Sequence, residues 1–350
     1  FSIGFHEKAY NEADHAKRVA SHLGTDHTEL YVTPEQAMDV IPRLPTLYDE
    51  PFSDPSQIPT FLVSEMTRQH VTISLSGDGG DELFAGYERY FFADSLWKKI
   101  GRIPYPLRKV LASGLKGINP TLLSSSLQWL SPHFSSYGGK GPIGDKLHKG
   151  ADLLMFRQFE EFYLRLMSHW KDTANLVLGA EEPLTSLTDS TQWAELADCM
   201  QRMQYLDTIS YLPDDILVKV DRAAMGVSLE TRVPFLDHRV VEYAWCLPQH
   251  MKVRNGEGKW ILRRLLDKYV PSELMDRPKM GFGVPIDSWL RGPLRDWAEE
   301  MLNEKRLREE GYFNPSPIRE KLAEHMSGDR NWQYHLWDVL MFESWLDSLN

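Results

Sequence analysis

Three carboxylates fall within five residues of a glycine-rich turn, Ser76-Gly77-Asp78-Gly79-Gly80-Asp81-Glu82. The turn follows a short β-type run, Val71–Leu75. A glycine turn at the end of a buried strand presents backbone N–H groups to a ligand. Carboxylates beside phosphates repel them unless a divalent cation or an ammonium-like nucleophile stands between. The pattern therefore points to metal-assisted nucleotide chemistry rather than to a plain phosphate cradle. The bland alternative is a tight turn whose Asp81 or Glu82 caps the next helix.

Two further groups could act with this turn. In Asn255-Gly256-Glu257-Gly258-Lys259 a flexible glycine pair delivers Lys259 to a helix start. Its charge could offset charge that develops on phosphate oxygens, or it could be only a solvated lysine. In the run 212–222, Asp215, Lys219 and Arg222 share one helical face at i, i+4 and i+7. A surface ion pair there contributes about 0.3–0.5 kcal/mol. Flanking apolar residues suggest instead that these charges are partly buried and paired. The Gly/Pro turn Lys279–Pro285 reads as packing. His6, His22, His27 and His238 have no metal-ligand spacing.

The elements that must position these residues can be read from pattern. Phe1–Phe5 and Thr28–Val32 read as strands, with a helix over Glu12–Leu23 between them. Thr33-Pro34-Glu35-Gln36 is a capping box opening a helix. Ile58–Gln69 reads as a helix feeding the strand at Val71–Leu75. This order predicts a mostly parallel sheet with helical crossovers. Ligands of such sheets bind at the carboxyl ends of strands, where Gly4 and the 76–82 turn lie. Beyond Tyr90 the pattern is mainly helical, with helices expected over Ala151–Trp170, Trp193–Tyr211, Asp214–Ala224, Asp287–Leu302 and Trp332–Leu349. Tyr137–Gly144 is the best candidate for a mobile loop.

Composition narrows the class. The chain has 350 residues, 42% hydrophobic and 25% charged, which suits one large domain or two smaller ones. A net charge of −11 argues against nucleic-acid coating, so an anionic substrate needs locally placed Lys, Arg or metal. Two cysteines, Cys199 and Cys246, exclude a disulfide framework and fit a cytoplasmic protein. No apolar run is long enough for a membrane span, and no signal peptide is seen. A start at Phe1-Ser2-Ile3-Gly4-Phe5, strand-like and without Met, suggests a chain cut from something longer.

Taken together, Phe1–Phe5, Asp49-Glu50-Pro51-Phe52, Ser76–Tyr87, Leu212–Asp237, Lys259–Arg263 and Lys279–Pro285 with Trp289 resemble the synthetase domain of glutamine-dependent asparagine synthetases. The resemblance covers nearly the whole chain. It implies an α/β fold, a parallel sheet of adenine-nucleotide α-hydrolase (ATP-pyrophosphatase) type with a largely helical C-terminal half. Residues 1–92 would form the nucleotide-binding part, and 93–350 a helical part completing the site. The implied reaction adenylates the side chain of aspartate with ATP and magnesium, giving β-aspartyl-AMP and pyrophosphate. Ammonia from glutamine then displaces AMP. By residue, Asp81 matches the magnesium ligand, Asp78 the group near ammonia, and Lys259 the adenylation lysine. Ile3, Gly4, Ser76 and Gly77 match contacts to ATP and acyl-adenylate. Asp215, Lys219, Asp221 and Arg222 fall in the implied substrate pocket.

Two departures accompany the resemblance. Asparagine synthetases carry Glu where this chain has Asp78, which moves the carboxylate by about 1.5 Å. The family's Ser-Gly-Gly-x-Asp-Ser pyrophosphate loop, its strand and the upstream glutaminase domain are not in this sequence. The 350-residue chain alone is therefore expected to be weak or inactive. Other readings are amidation of a sugar or peptide carboxylate, a β-lactam-synthetase-like enzyme, or a regulatory or assembly module. The carboxylate of Asp78 disfavours the second, and retention of Asp78, Asp81 and Lys259 disfavours the third. A homodimer is compatible with the family; no nucleic-acid or membrane partner is implied.

Overall fold

Parallel pairing is present, but in two short pairs of strands rather than one broad sheet. The computed structural model describes residues 1–5, 13–118, 150–189, 191, 193–275 and 283–349. Strand β1 (Ser2–Phe5) pairs in parallel with β2 (Glu29–Val32), from Ser2 opposite Glu29 to Phe5 opposite Val32. Helix α1 (Ala13–Leu23) lies between them in the chain, as the βαβ pattern predicts. Strand β3 (Ile73–Leu75) pairs in parallel with β4 (Glu230–Arg232). Among the described residues no strand hydrogen bonds join the two pairs. The architecture is thus mostly helical α/β with small parallel sheets. β4 carries no alternating apolar pattern, since Glu230 and Arg232 are exposed, and sequence periodicity did not mark it.

Local chemistry explains the helices that frame β3. The capping box forms as expected: Gln36 N–H donates to Thr33 Oγ1 at 3.3 Å, and Thr33 N–H to Gln36 Oε1 at 3.0 Å. It opens α2 (Pro34–Met38). Helix α3 (Leu44–Tyr48) follows, and Asp49, in a left-handed conformation, ends it. Helix α4 (Gln57–Arg68) starts beyond Asp54, whose carboxylate accepts from Ser56 N–H at 2.9 Å and Ser56 Oγ at 2.8 Å. Buried Thr60 and Ser64 return their hydroxyls to carbonyls one turn back, each at 2.7 Å. Small, self-satisfied side chains let another helix, Val218–Met225, pack closely on α4.

Several expected helices are shorter or broken. The run expected over Asp214–Ala224 is a π turn, Leu212–Leu217, continuing into the α-helix Val218–Met225. Pro213 lacks the N–H that would close an ordinary α turn there. Ala151–Trp170 contains the helix Phe159–Met167, and Trp193–Tyr211 contains Cys199–Ile209. Asp287–Leu302 divides into Ile286–Arg291 and Arg295–Met301 around Gly292-Pro293. The expected loop Tyr137–Gly144, and residues 279–282 of the Lys279–Pro285 turn, lie outside the described residues.

The chain forms two compact units, residues 1–86 with 172–192 and 204–350, and residues 87–171 with 193–203. In the second, Trp97 packs edge-on against Phe159 at 5.6 Å, and Arg202 pairs with Glu160 at 2.6 Å. The first contains both strand pairs, the 76–82 turn and Lys259. No helix among the described residues is long and apolar enough to cross a membrane.

Candidate active site

The acidic turn begins where β3 ends. Ser76 N–H donates to Arg232 O at 2.9 Å, extending the strand pairing by one residue. Ser76 Oγ then donates to Asp78 Oδ2 at 2.7 Å and fixes that carboxylate over the turn. Gly79 takes φ 78°, and a β-carbon there would lie 2.7 Å from Leu236 Cδ2, so both backbone and space require glycine. Helix α5 (Gly80–Phe84) follows with Asp81 and Glu82 in its first turn. Leu83 and Phe84 bury against Ala244 and Leu247, which turns Asp81 away from the core. Glu82 is buried, and its backbone carbonyl accepts from Gln204 Nε2 at 2.7 Å. Left-handed Ala85 ends α5 after five residues, and Gly86 N–H closes on Asp81 O at 2.8 Å.

Lys259 reaches this turn from the opposite end of the sequence. Arg254 and Glu257 exchange backbone hydrogen bonds of 3.0 and 2.9 Å across Asn255-Gly256. Both central residues have positive φ, 55° and 81°, the geometry that makes Asn-Gly a hairpin dipeptide. Lys259 is itself left-handed, with φ 56°, and precedes the helix Trp260–Leu266. Its N–H donates to Phe84 O at 2.8 Å, and its Nζ meets Asp81 Oδ2 at 2.9 Å. The structure thus joins the expected adenylation lysine to the expected metal ligand.

Lys219 takes a partner that the sequence did not reveal. Its Nζ lies 2.6 Å from Asp54 Oδ2, with side chains 11% and 20% exposed. Burial alone would raise the Asp54 carboxyl, but the Lys219 ammonium and the Ser56 donors hold it below its ordinary value. Tyr48 supports the lysine backbone by donating to Lys219 O at 3.2 Å, and Phe52 stacks on Tyr48 at 4.7 Å. The Asp49–Phe52 block therefore shapes the wall that holds this pair. Asp54 had a local signal as a helix start, Asp-Pro-Ser, but none as a partner of Lys219. Lys219, Ser76, Asp78 and Thr231 line one cleft of about 520 Å³.

The other expected residues divide. Asp215 is half-buried on the π turn. Asp221 and Arg222 are exposed, and Arg222 lies 3.5 Å from Asp49 Oδ2. The face expected for Asp215, Lys219 and Arg222 thus gives way to separate environments: Asp215 lies on the π turn, while Lys219 and Arg222, on the α-helix beyond it, pair with Asp54 and Asp49. Ile3 and Gly4 are buried on β1, in the other strand pair. No group of three or more His, Cys, Asp or Glu side chains suited to a metal occurs among the described residues. A magnesium ion binds through one or two carboxylates plus substrate phosphates, so the single carboxylate of Asp81 suits it only together with a nucleotide.

Comparison with known proteins identifies the fold's relatives. The family described as asparagine synthase matches residues 1–347. The chain belongs to the asparagine synthase family. It is 31% identical over 346 residues to glutamine-hydrolyzing asparagine synthetase 1 of Bacillus subtilis, covering 99% of this chain and 51% of that protein. It is 31% identical over 307 residues to the glutamine-hydrolyzing asparagine synthetase of Mesocricetus auratus, covering 78% and 52%. A further Bacillus subtilis protein, asparagine synthetase 3, is 26% identical over 296 residues, covering 83% and 39%. The chain thus spans about half the length of the curated relatives it matches.

Proposed function

We propose that the chain carries the adenylating and amidating site of an ATP-dependent asparagine synthesis. The observation that carries this reading is the contact of Lys259 with Asp81 on an acidic glycine turn at the end of a parallel strand. Membership in the family supports it. The fold assignment that goes with it is an ATP-pyrophosphatase-type sheet, of which β1–β4 are parts.

In the first step an aspartate side-chain oxygen bonds to the α-phosphorus of ATP. The bond from that phosphorus to the bridging oxygen breaks, and pyrophosphate leaves. Lys259 Nζ, held at the turn by its left-handed backbone, offsets charge on the phosphate oxygens. Asp81 would hold magnesium, which neutralises pyrophosphate charge when bound. Gly77 would let the backbone come close to the nucleotide, and Ile3 and Gly4 would line the adenine site. In the second step ammonia attacks the acyl carbon and AMP leaves. Asp78, oriented by Ser76 Oγ, accepts a proton from the attacking nitrogen. Lys219, held by Asp54, would border the substrate cleft, with Asp215, Asp221 and Arg222 placed beside it. Glutamine supplies the ammonia, in line with the names of the relatives, and the cytoplasm supplies ATP and magnesium.

The test is ATP–pyrophosphate exchange in the protein that carries this chain. Exchange that requires aspartate and falls about 100-fold or more in Asp81→Asn supports the reading. Exchange driven instead by a sugar or peptide carboxylate would reassign the acceptor. Exchange unaffected by Asp81→Asn would remove the site assignment. Asp78→Asn separates the steps: exchange persists while amide formation from ammonia is lost.

A further inference from the structure

No side chain fits at residue 86 while Lys259 reaches Asp81. A β-carbon on Gly86 would overlap Asp81 Oδ1 and Lys259 Cε, and would lie 2.9 Å from Asp81 Cγ. The backbone does not require glycine there, because Gly86 is not among the residues with positive φ. The requirement is spatial. Gly258 repeats it from the other side: a β-carbon there would overlap the Ala85 carbonyl oxygen and lie 3.3 Å from Gly86 Cα. Gly258 also lacks a positive φ. The left-handed residues fall beside these glycines, Ala85 before Gly86 and Lys259 after Gly258. Two tight backbone segments therefore lie against each other, pinned by Lys259 N–H to Phe84 O at 2.8 Å. The lysine stem crosses directly over the α-carbon of residue 86.

We propose that Gly86 is a positioning residue, the aperture through which Lys259 extends to Asp81, and that Gly258 holds the two segments at the spacing this needs. Residue 86 thereby sets how far the lysine ammonium enters the site. The consequence for catalysis rests on the nucleotide reading above; the geometric claim does not. A methyl at residue 86 must displace the lysine stem, the Asp81 carboxylate or both. Displacement of a reacting group by about 1 Å costs on the order of 100-fold in rate.

A double-mutant cycle decides the matter in two independent readouts. In urea unfolding of the full chain, Gly86→Ala lowers the midpoint. In an Asp81→Ala/Lys259→Ala background the same change has about half that effect or less, because the atoms it would strike are gone. An equal shift in both backgrounds, or no shift in the parent, overturns the proposal. If Gly86→Ala alone does not fold, recovery of folded protein in the double-alanine background supports the proposal, and failure there too overturns it. In ATP–pyrophosphate exchange, Gly86→Ala lowers kcat about 100-fold and leaves KM for ATP within about threefold. In Lys259→Ala it causes a clearly smaller further loss, since only the overlap with Asp81 remains; a second full loss there overturns the proposal. If the protein that carries this chain shows no exchange at all, the nucleotide reading fails, and the unfolding cycle still decides the geometry.

Discussion

Replacing Lys259 by alanine should remove adenylation while leaving the fold nearly intact. The side chains of Lys259 and Asp81 are 32% and 24% exposed, so solvent screens their 2.9 Å contact. A pair of this kind contributes at most about 1 kcal/mol. The left-handed backbone adds nothing to the difference, because alanine at φ 56° carries the same steric penalty as lysine. A domain stable by about 5–15 kcal/mol stays folded after such a loss. Catalysis responds differently. A fixed charge aimed at developing phosphate charge accounts for about 100- to 1,000-fold in rate, or about 3–4 kcal/mol. The assay is aspartate-dependent ATP–pyrophosphate exchange, run beside urea unfolding of the same variant. Exchange within about threefold of the parent would refute the assignment of Lys259. A stability loss above about 3 kcal/mol would refute the screening argument and make the pair structural.

The buried pair should behave in the opposite way. Lys219→Met strands the Asp54 carboxylate and should cost about 3–5 kcal/mol in urea unfolding, whereas Lys219→Met with Asp54→Asn should recover most of that; an additive loss would show that the two residues act separately. Glu343 is buried on the C-terminal helix Gln333–Ser348, 3.4 Å from Arg306, and burial with the neighbouring Glu310 pushes its carboxyl up to about 8. The folded state thus keeps a proton that the unfolded chain releases near 4.5, so stability falls as pH rises from about 4.5 to about 8 and then levels. Glu343→Gln should flatten that slope in unfolding midpoints measured at about pH 5 and about pH 8; an unchanged slope assigns the titration elsewhere. Gly79→Ala meets both a left-handed backbone and Leu236, and should lower stability by about 1–3 kcal/mol in thermal unfolding, with a neutral result showing that the turn relaxes freely.

Features written in neighbouring residues were legible. Thr33 and Gln36 close a capping box because both partners lie within one turn. Asn255-Gly256 forms the hairpin that presents Lys259, because the dipeptide tolerates positive φ at both positions. Strand β3 and the glycine turn follow from an apolar run broken by residues that no strand accommodates. The π turn was hidden because the pattern reads as two helices parted at Leu212-Pro213, and residue type does not show that helical turns run on through Pro213 in a changed register. β4 was hidden because its outer residues are charged, and parallel pairing with β3 supplies what its pattern lacks.

By itself the sequence determined the chemistry on offer: a turn rich in carboxylates, a lysine after a flexible glycine pair, and the family to which both belong. Those depend on residue type and on spacing over a few positions, where backbone sterics decide. Tertiary structure decided which charges meet. It gave Lys259 to Asp81, gave Lys219 to Asp54, and left Arg222 exposed, 3.5 Å from Asp49. It also gave Gly86 its spatial role, since only packing brings a lysine stem from a distant hairpin across that α-carbon. Such pairings are set by which apolar faces bury together, and a charged residue takes whatever partner that burial brings within reach.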